Sequence, residues 1–410
     1  MTQAAPLTLL SPTAMECPFP TYDAMREESP IYRDAGTGFL VVTRYEDIKA
    51  IAADPATFSN KTGLLGQRTS AAQKQVAELY ATEGFAPIDT LVTNDPPSHK
   101  RYRSLVDKVF SPVRIKEAEA AIVELINELI AAFPQEPFDF VPAFSIPLPV
   151  RIIARQLGVP QDREADFKRW SDALIGSANQ GLTSEQELEN ARTIVEMQQF
   201  FRDMVRRTRE APDGTLLSAL ANTEGDEGLM SEAEVVSLLM QILVAGNETT
   251  TNATAAAVLR LAQNAELQAR LRAEPSLVPV FVEEVLRLDA PLQGLFRRAT
   301  CAAEVGGVPV PEGSILDIRW GAGNRDERRY ACPDAVDLDR KNPSQHLAFG
   351  FGIHFCIGNQ LARAELRNGI TGLLERSATI RLADVAEPVV RTPHFFAHGL
   401  RSLMIDFHRR

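Results

Sequence analysis

One stretch constrains the fold of this chain more than any other, the run from Ser231 to Ala262, SEAEVVSLLMQILVAGNETTTNATAAAVLRLA. Ser231 followed three places later by Glu234 is a capping-box pattern that opens a helix. From there the residues are apolar on nearly every face, so the helix must be surrounded by other elements rather than laid on a surface. At 410 residues the chain is long enough to wrap such a helix and still enclose a cavity. The middle of the run breaks the pattern. Gly246, Asn247, Glu248, Thr249, Thr250, Thr251 and Asn252 are polar or weak helix formers where a core helix should be greasy. A buried polar group without a partner costs about 1–3 kcal/mol, so these residues need partners or a task.

Elsewhere, apolar spacing at three and four predicts helices from Glu117 to about Phe133, Ile194 to Arg207 and Leu277 to Arg287. Alternating or β-rich stretches are few and short: Gly38 to Thr43, Cys301 to Val310, Ser314 to Arg319 and Ser402 to Phe407. Repeats, low-complexity tracts and long linkers are absent. The expectation is a mainly α protein with small β-sheets near both ends.

The net charge of −11 argues against a sequence-independent grip on nucleic acid. No run of roughly 18 apolar residues offers a bilayer span. The N-terminal segment MTQAAPLTLLSPTAMECPFP lacks a basic start and is broken by Pro12, so neither a signal peptide nor a membrane anchor is expected there. Cys17, Cys301, Cys332 and Cys356 are scattered, with no CxxC pair, which suits a reducing cytoplasm better than a disulfide framework.

Context lifts one cysteine above the rest. In HLAFGFGIHFCIGNQLARAE, residues 346–365, Gly350, Gly352 and Gly358 surround Cys356 just before a helical pattern starts at Asn359. Glycines let backbone approach a flat ligand closely. A cysteine at a loop-to-helix junction lies near the positive helix end, which favours its thiolate. The spacing Phe349-x-x-Gly352-x-His354-x-Cys356-x-Gly358 resembles the signature of the cytochrome P450 family, in its bacterial, soluble, ferredoxin-dependent form. Three further segments resemble the family in the same order, so the likeness runs along essentially the whole chain. They are Glu284-x-x-Arg287 in VEEVLRLDAP, Ala245-Gly246-Asn247-Glu248-Thr249-Thr250 in the long helix, and DPPSHKRYR at 95–103.

The resemblance implies the cytochrome P450 fold, with residues 1–410 forming a single triangular haem domain around a long central helix and no fused reductase or ferredoxin domain. It implies haem b as cofactor, Cys356 as iron ligand, and His99, Arg103, Arg297 and His354 on the propionates. His99 and Arg103, four apart, share a helix face. Arg298 beside Arg297 leaves that assignment open by one place. Gly246 would allow close approach to the haem face, Thr249 would hold the activated oxygen and its water, and Glu248 would relay protons. Glu284 and Arg287 would form a buried structural pair beneath the loop carrying Phe349. Ala335 stands where many relatives place an arginine joining that pair, so a third charged partner must come from elsewhere or be lacking.

The activity implied is insertion of one oxygen atom from O2 into a C–H bond of a small, mostly hydrophobic substrate: a terpenoid, steroid, fatty acid or alkyl aromatic. Electrons would come from a ferredoxin and its reductase, docked on Lys100, Arg101, Lys108 and Arg114; the alternative reading of these four is ordinary solvated charges. Candidate substrate residues are Leu64, Leu65, Leu243, Val244, Asn247, Leu292, Leu295, Phe296 and Phe396, each of which could equally be core. His346 reads as structural, and His394, His398 and His408 show no partner pattern. A monomeric, cytoplasmic enzyme is expected. The rival readings are a peroxide-driven peroxygenase on the same fold, which would not need the Glu248–Thr249 pair, a non-catalytic haem-binding sensor, and a haem dehydratase.

Overall fold

The structure is a computed structural model and describes residues 6–62, 72–178 and 182–410. The chain forms two compact units, one from Met1–Asn60, Ala120–Leu148 and Thr249–Arg410, the other from Lys61–Glu119 and Pro149–Glu248. The long helix, Glu232–Gln263, contributes to both and is α-helical without a break. Its capping box is formed as the sequence predicts: Ser231 N–H donates to Glu234 Oε2 at 2.7 Å and Glu234 N–H to Ser231 Oγ at 3.3 Å. Val235, Leu238, Leu239 and Leu243 before the polar centre, and Ala255, Val258 and Leu261 after it, are buried. No helix among the described residues is long and apolar enough to cross a membrane.

The first unit holds both main sheets. One has the strand order Ile31–Arg33, Leu40–Val42, Ile315–Ile318, Leu295–Ala299 and Phe58–Ser59. Leu316 sits opposite Leu40 in a parallel ladder and opposite Arg297 in an antiparallel one. Val42, Ile48, Ile51, Leu316, Ile318, Trp320 and Leu347 close its apolar side, so the core reaches to within two residues of Phe349. The other sheet is built on Gly399–Arg409, which pairs with Ser377–Leu382, Val389–Thr392 and Phe138–Asp139. Six of these strands escaped the sequence reading: Ile31–Arg33, Phe58–Ser59, Phe138–Asp139, Leu295–Ala299, Ser377–Leu382 and Val389–Thr392. In Leu295–Ala299 two adjacent arginines mask the alternation, Ser377–Leu382 buries only Ser377 and Ile380, three apart, and Val389–Thr392 has no buried residue.

The second unit is helical. Ser184–Glu210, longer at both ends than the apolar spacing suggested, opens with a capping box between Thr183 and Gln186. It packs on Glu164–Ala178, Gln73–Thr82 and Leu216–Ala221. Phe167, Trp170 and Phe201 form the aromatic centre. Gln198, fully inside, clamps Phe85 through both its backbone N–H (3.0 Å) and its carbonyl (2.9 Å). Ser237 of the long helix accepts from Ile88 N–H at 3.0 Å. The helix Ser98–Val109 belongs to this unit.

Candidate active site

The cysteine loop is shaped by backbone. Gly350 (φ 70°) and Gly352 (φ 73°) are left-handed, a conformation that costs residues with a Cβ. At Gly352 a Cβ would also strike the carbonyl of Ala52. Between them the chain doubles back: Gly352–His354 make one tight turn, and Cys356 N–H donates to Phe349 O at 2.9 Å. Asn359 Nδ2 donates to Cys356 O at 2.7 Å, joining the loop to the helix Asn359–Arg376, whose N-cap is Gly358. Cys356 is half-buried and its thiol is in no disulfide. Ile353 and Phe355, either side of His354, are each 36% exposed, and a Cβ on Gly358 would meet nothing within 4 Å. The loop thus presents an open, mostly apolar face with one soft donor in it. Phe349 lies beneath the Arg363 guanidinium, 4.4 Å from the ring centre.

Under the loop lies a buried charge network. Glu284 and Arg287 are both fully buried and form a two-pronged pair, Nε to Oε1 at 2.7 Å and Nη2 to Oε2 at 2.9 Å. Arg287 also donates to the carbonyls of Asn324, Pro333 and Ala335. The third charge comes from Arg340, whose Nε meets Glu284 Oε1 at 2.8 Å, while Asp337 N–H caps Oε2 at 2.9 Å. Ala335 therefore contributes its carbonyl, and the charge arrives five residues later. Beside this network, Glu283 accepts from Arg363 Nε (2.7 Å) and from His346 Nε2 (3.1 Å). His346 is structural, as expected. Its Nδ1 accepts Ala348 N–H, which fixes it as the neutral Nε2–H tautomer.

In the long helix the polar centre differs from its flanks. Ala245 is exposed although Ile242 and Leu243 shortly before it are buried, Val244, Gly246, Glu248 and Thr249 are half-buried, and a Cβ on Gly246 would meet none of the described residues within 4 Å. Glu248 is raised above the usual carboxyl range, first by burial and then by Asp172. Asn247 is buried, and neither its amide nitrogen nor its amide oxygen has a partner among the described residues. Thr251 and Thr254 bond to the carbonyls of Ser145 and Thr250, so these two threonines serve the helix and its packing.

The predicted cations are placed as follows. His99 is buried and its pKa is lowered by burial and then by Arg103. Arg103 grips Asp107 through Nε at 3.0 and 3.1 Å. Strand alternation decides between the two neighbours in Leu295–Ala299: Arg297 is buried, Arg298 exposed. His354 ends the tight turn of the cysteine loop. Of the basic docking residues, Lys100 is exposed, but Arg101 is committed to Glu227 (2.9 Å) and Glu234 (2.6 Å). Lys108 and Arg114 donate to the carbonyls of Glu224 and Gly214. The structure thus removes Arg101 from the expected face, because a glutamate on the long helix claims it.

Among the substrate candidates, Leu243 is completely buried and takes the core reading. Val244, Leu292, Leu295, Phe296 and Phe396 are half-buried. Leu292 bridges to Ala397, and Phe296 stacks on Phe395, their rings 6.3 Å apart. Leu64 and Leu65 lie outside the described residues.

Comparison with known proteins agrees with this geometry. The cytochrome P450 family model matches residues 163–379. Cytochrome P450 107B1 of Saccharopolyspora erythraea is 34% identical over 88% of each chain. Vitamin D(3) 25-hydroxylase of Pseudonocardia autotrophica is 32% identical over 97% of this chain and 95% of its own. The structure of CYP109Q5 from Chondromyces apiculatus superposes with a TM-score of 0.87 at 32% identity, covering 98% of this chain and 97% of the other. The chain belongs to the cytochrome P450 family, whose members are monooxygenases that carry haem b and use O2 and a redox partner. The residues present fit that cofactor. A thiol in no disulfide is offered from a loop with an open, mostly apolar face, and among the described residues space lies beside Gly358.

Proposed function

We propose that the chain is one haem domain whose Cys356 ligates the iron, and that it hydroxylates a small hydrophobic molecule with electrons from a ferredoxin and its reductase. The observation that carries this is the cysteine loop, folded back by two left-handed glycines and tied from Cys356 N–H to Phe349 O. Matches along most of the length of both chains support the single-domain reading.

When bound, a thiolate-ligated haem activates O2, so that one oxygen atom enters the substrate and the other leaves as water, with two electrons and two protons consumed. Cys356 supplies the anionic sulfur, favoured by the nearby helix start. His99, Arg103, Arg297 and His354 would hold the propionates, and Gly246 would leave room for the haem face. A proton rests more readily on the Glu248 carboxyl than on an ordinary glutamate, because burial raises it, which suits a group that takes and passes protons. The Thr249 hydroxyl, next in the chain, would hold oxygen and water in place. This acid–threonine pair favours O2 over peroxide as oxidant. Val244, Asn247, Leu292, Leu295, Phe296 and Phe396 would line the substrate site. Their apolar majority, with a vitamin D(3) hydroxylase among the relatives, supports a terpenoid- or steroid-like substrate over a polar one. Lys100, Lys108 and Arg114 would receive the acidic partner.

The test is spectroscopic. The reduced carbonyl complex of the haem-loaded protein should show the red-shifted absorption of thiolate ligation, and Cys356→His should abolish it. Vitamin D3 or testosterone, titrated into the oxidised enzyme, should drive the iron to high spin. A wild-type protein without the red-shifted band sinks the proposal.

A further inference from the structure

The six residues Pro393–His398 connect the strands Val389–Thr392 and Gly399–Arg409 without regular ladder bonds of their own. Neither histidine had a visible partner in the sequence. In the fold, His394 Nδ1 accepts two backbone N–H groups, from Phe396 at 3.2 Å and Ala397 at 3.1 Å. The same imidazole stands edge-on to the Phe396 ring, with centroids 4.4 Å apart and planes at 89°. One side chain therefore sets both the peptide direction and the ring of Phe396. It acts as Asn or Asp does in an Asx turn, where a side-chain acceptor two or three residues back replaces a missing backbone one. An Nδ1 that receives two donors carries no proton, so the ring is the Nε2–H tautomer. Burial, which lowers the His394 pKa, is in keeping with that neutral form.

The turn is joined to a second candidate wall. Phe396 O accepts from Gln293 N–H at 2.6 Å, Ala397 bridges to Leu292, and His398 N–H donates to Pro291 O at 2.9 Å. Any change in the path of residues 396–398 is thereby passed to Leu292.

We infer that His394 is a positioning residue for substrate selection, holding Phe396 and, through the paired backbone, Leu292 in the orientation they present to substrate. This rests on the placing of Phe396 at the substrate site. Were the ring only filler, phenylalanine would serve as well. Were the acceptor what matters, asparagine would.

The experiment compares haem-loaded wild type, His394→Phe, His394→Asn and Phe396→Ala. Amide hydrogen exchange at Phe396 and Ala397 is followed by fragmentation mass spectrometry. Equilibrium binding uses two haem ligands: clotrimazole, whose aryl groups reach the walls, and imidazole, which ligates iron without reaching them. In His394→Phe, exchange at the two amides should quicken and clotrimazole should bind about ten-fold more weakly as Phe396 loses its fixed orientation. Imidazole affinity should be unchanged, and His394→Asn should restore both properties. Unchanged exchange in His394→Phe overturns the clamp. Faster exchange with unchanged clotrimazole affinity overturns its role in selection. Phe396→Ala then locates the fault. If that variant also leaves clotrimazole unaffected, Phe396 does not face the ligand. If it weakens clotrimazole, His394 does not control Phe396.

Discussion

At the scale of single residues, burial and satisfaction separate structural groups from those kept for ligands. Asn247 is buried with both amide atoms unpartnered among the described residues, whereas Gln198, also buried, has both ends engaged. A polar group left in that state costs about 1–3 kcal/mol. Asn247→Leu should therefore melt at a higher temperature than wild type without substrate, and yet show a weaker substrate-induced spin shift. Calorimetry and optical titration on the same samples check both halves. A lower melting temperature would mean that Asn247 is already satisfied. The sequence made Asn247 visible only as a misfit in an apolar helix, and did not say whether it had a partner. It likewise assigned Arg297 but left the choice over Arg298 open by one place. Only the strand pairing of Leu295–Ala299, set by residues of Ile315–Ile318 far along the chain, turns one inward and the other out.

At the scale of elements, the long helix and the cysteine loop were legible because their reasons are local: a capping box, an all-round apolar run, glycines at fixed distances from a cysteine. The charge network beneath the loop was only half legible. Glu284 and Arg287 lie one turn apart on Val278–Leu288, but Arg340 comes from an irregular stretch that no periodicity flags. The network ranks its members. Arg287 is fully buried, with its carboxylate partner and three carbonyls, and Arg287→Ala leaves Glu284 with Arg340 as its one cation and the three carbonyls without this donor, a loss of about 3–5 kcal/mol. Arg340→Ala leaves the Glu284–Arg287 pair intact and should cost about 1.5–3 kcal/mol, the worth of one charged hydrogen bond. Denaturant unfolding and haem retention should rank the variants in that order. Equal losses would show that Arg340 is as central as the helix pair.

At the scale of the whole molecule, acid stability follows from the same region. Burial pushes the Glu283 carboxyl up, but hydrogen bonds from His346 and Arg363 outweigh it and hold it at about 2. Because the folded value lies below the unfolded one of 4.5, this group contributes its full stabilisation above that range. The contribution fades as pH falls from 4.5 through about 2. Glu283→Gln should accordingly melt lower than wild type at pH 6, and the gap should close on acidification. Melting curves from pH 6 to pH 2 test this, and a gap that stays constant would remove Glu283 from the account.

The unbroken helix Glu232–Gln263 has a bearing on how the protein can be altered. One extra residue in its first half would rotate everything downstream by about 100° and advance it by about 1.5 Å. Thr249 would then point where a neighbour now does, while Glu234 kept its hold on Arg101 and Tyr102. Side-chain exchanges along this rod keep its phase, but an indel inside it scrambles it, so insertions belong in the glycine-bearing hairpin at Gly306 and Gly307.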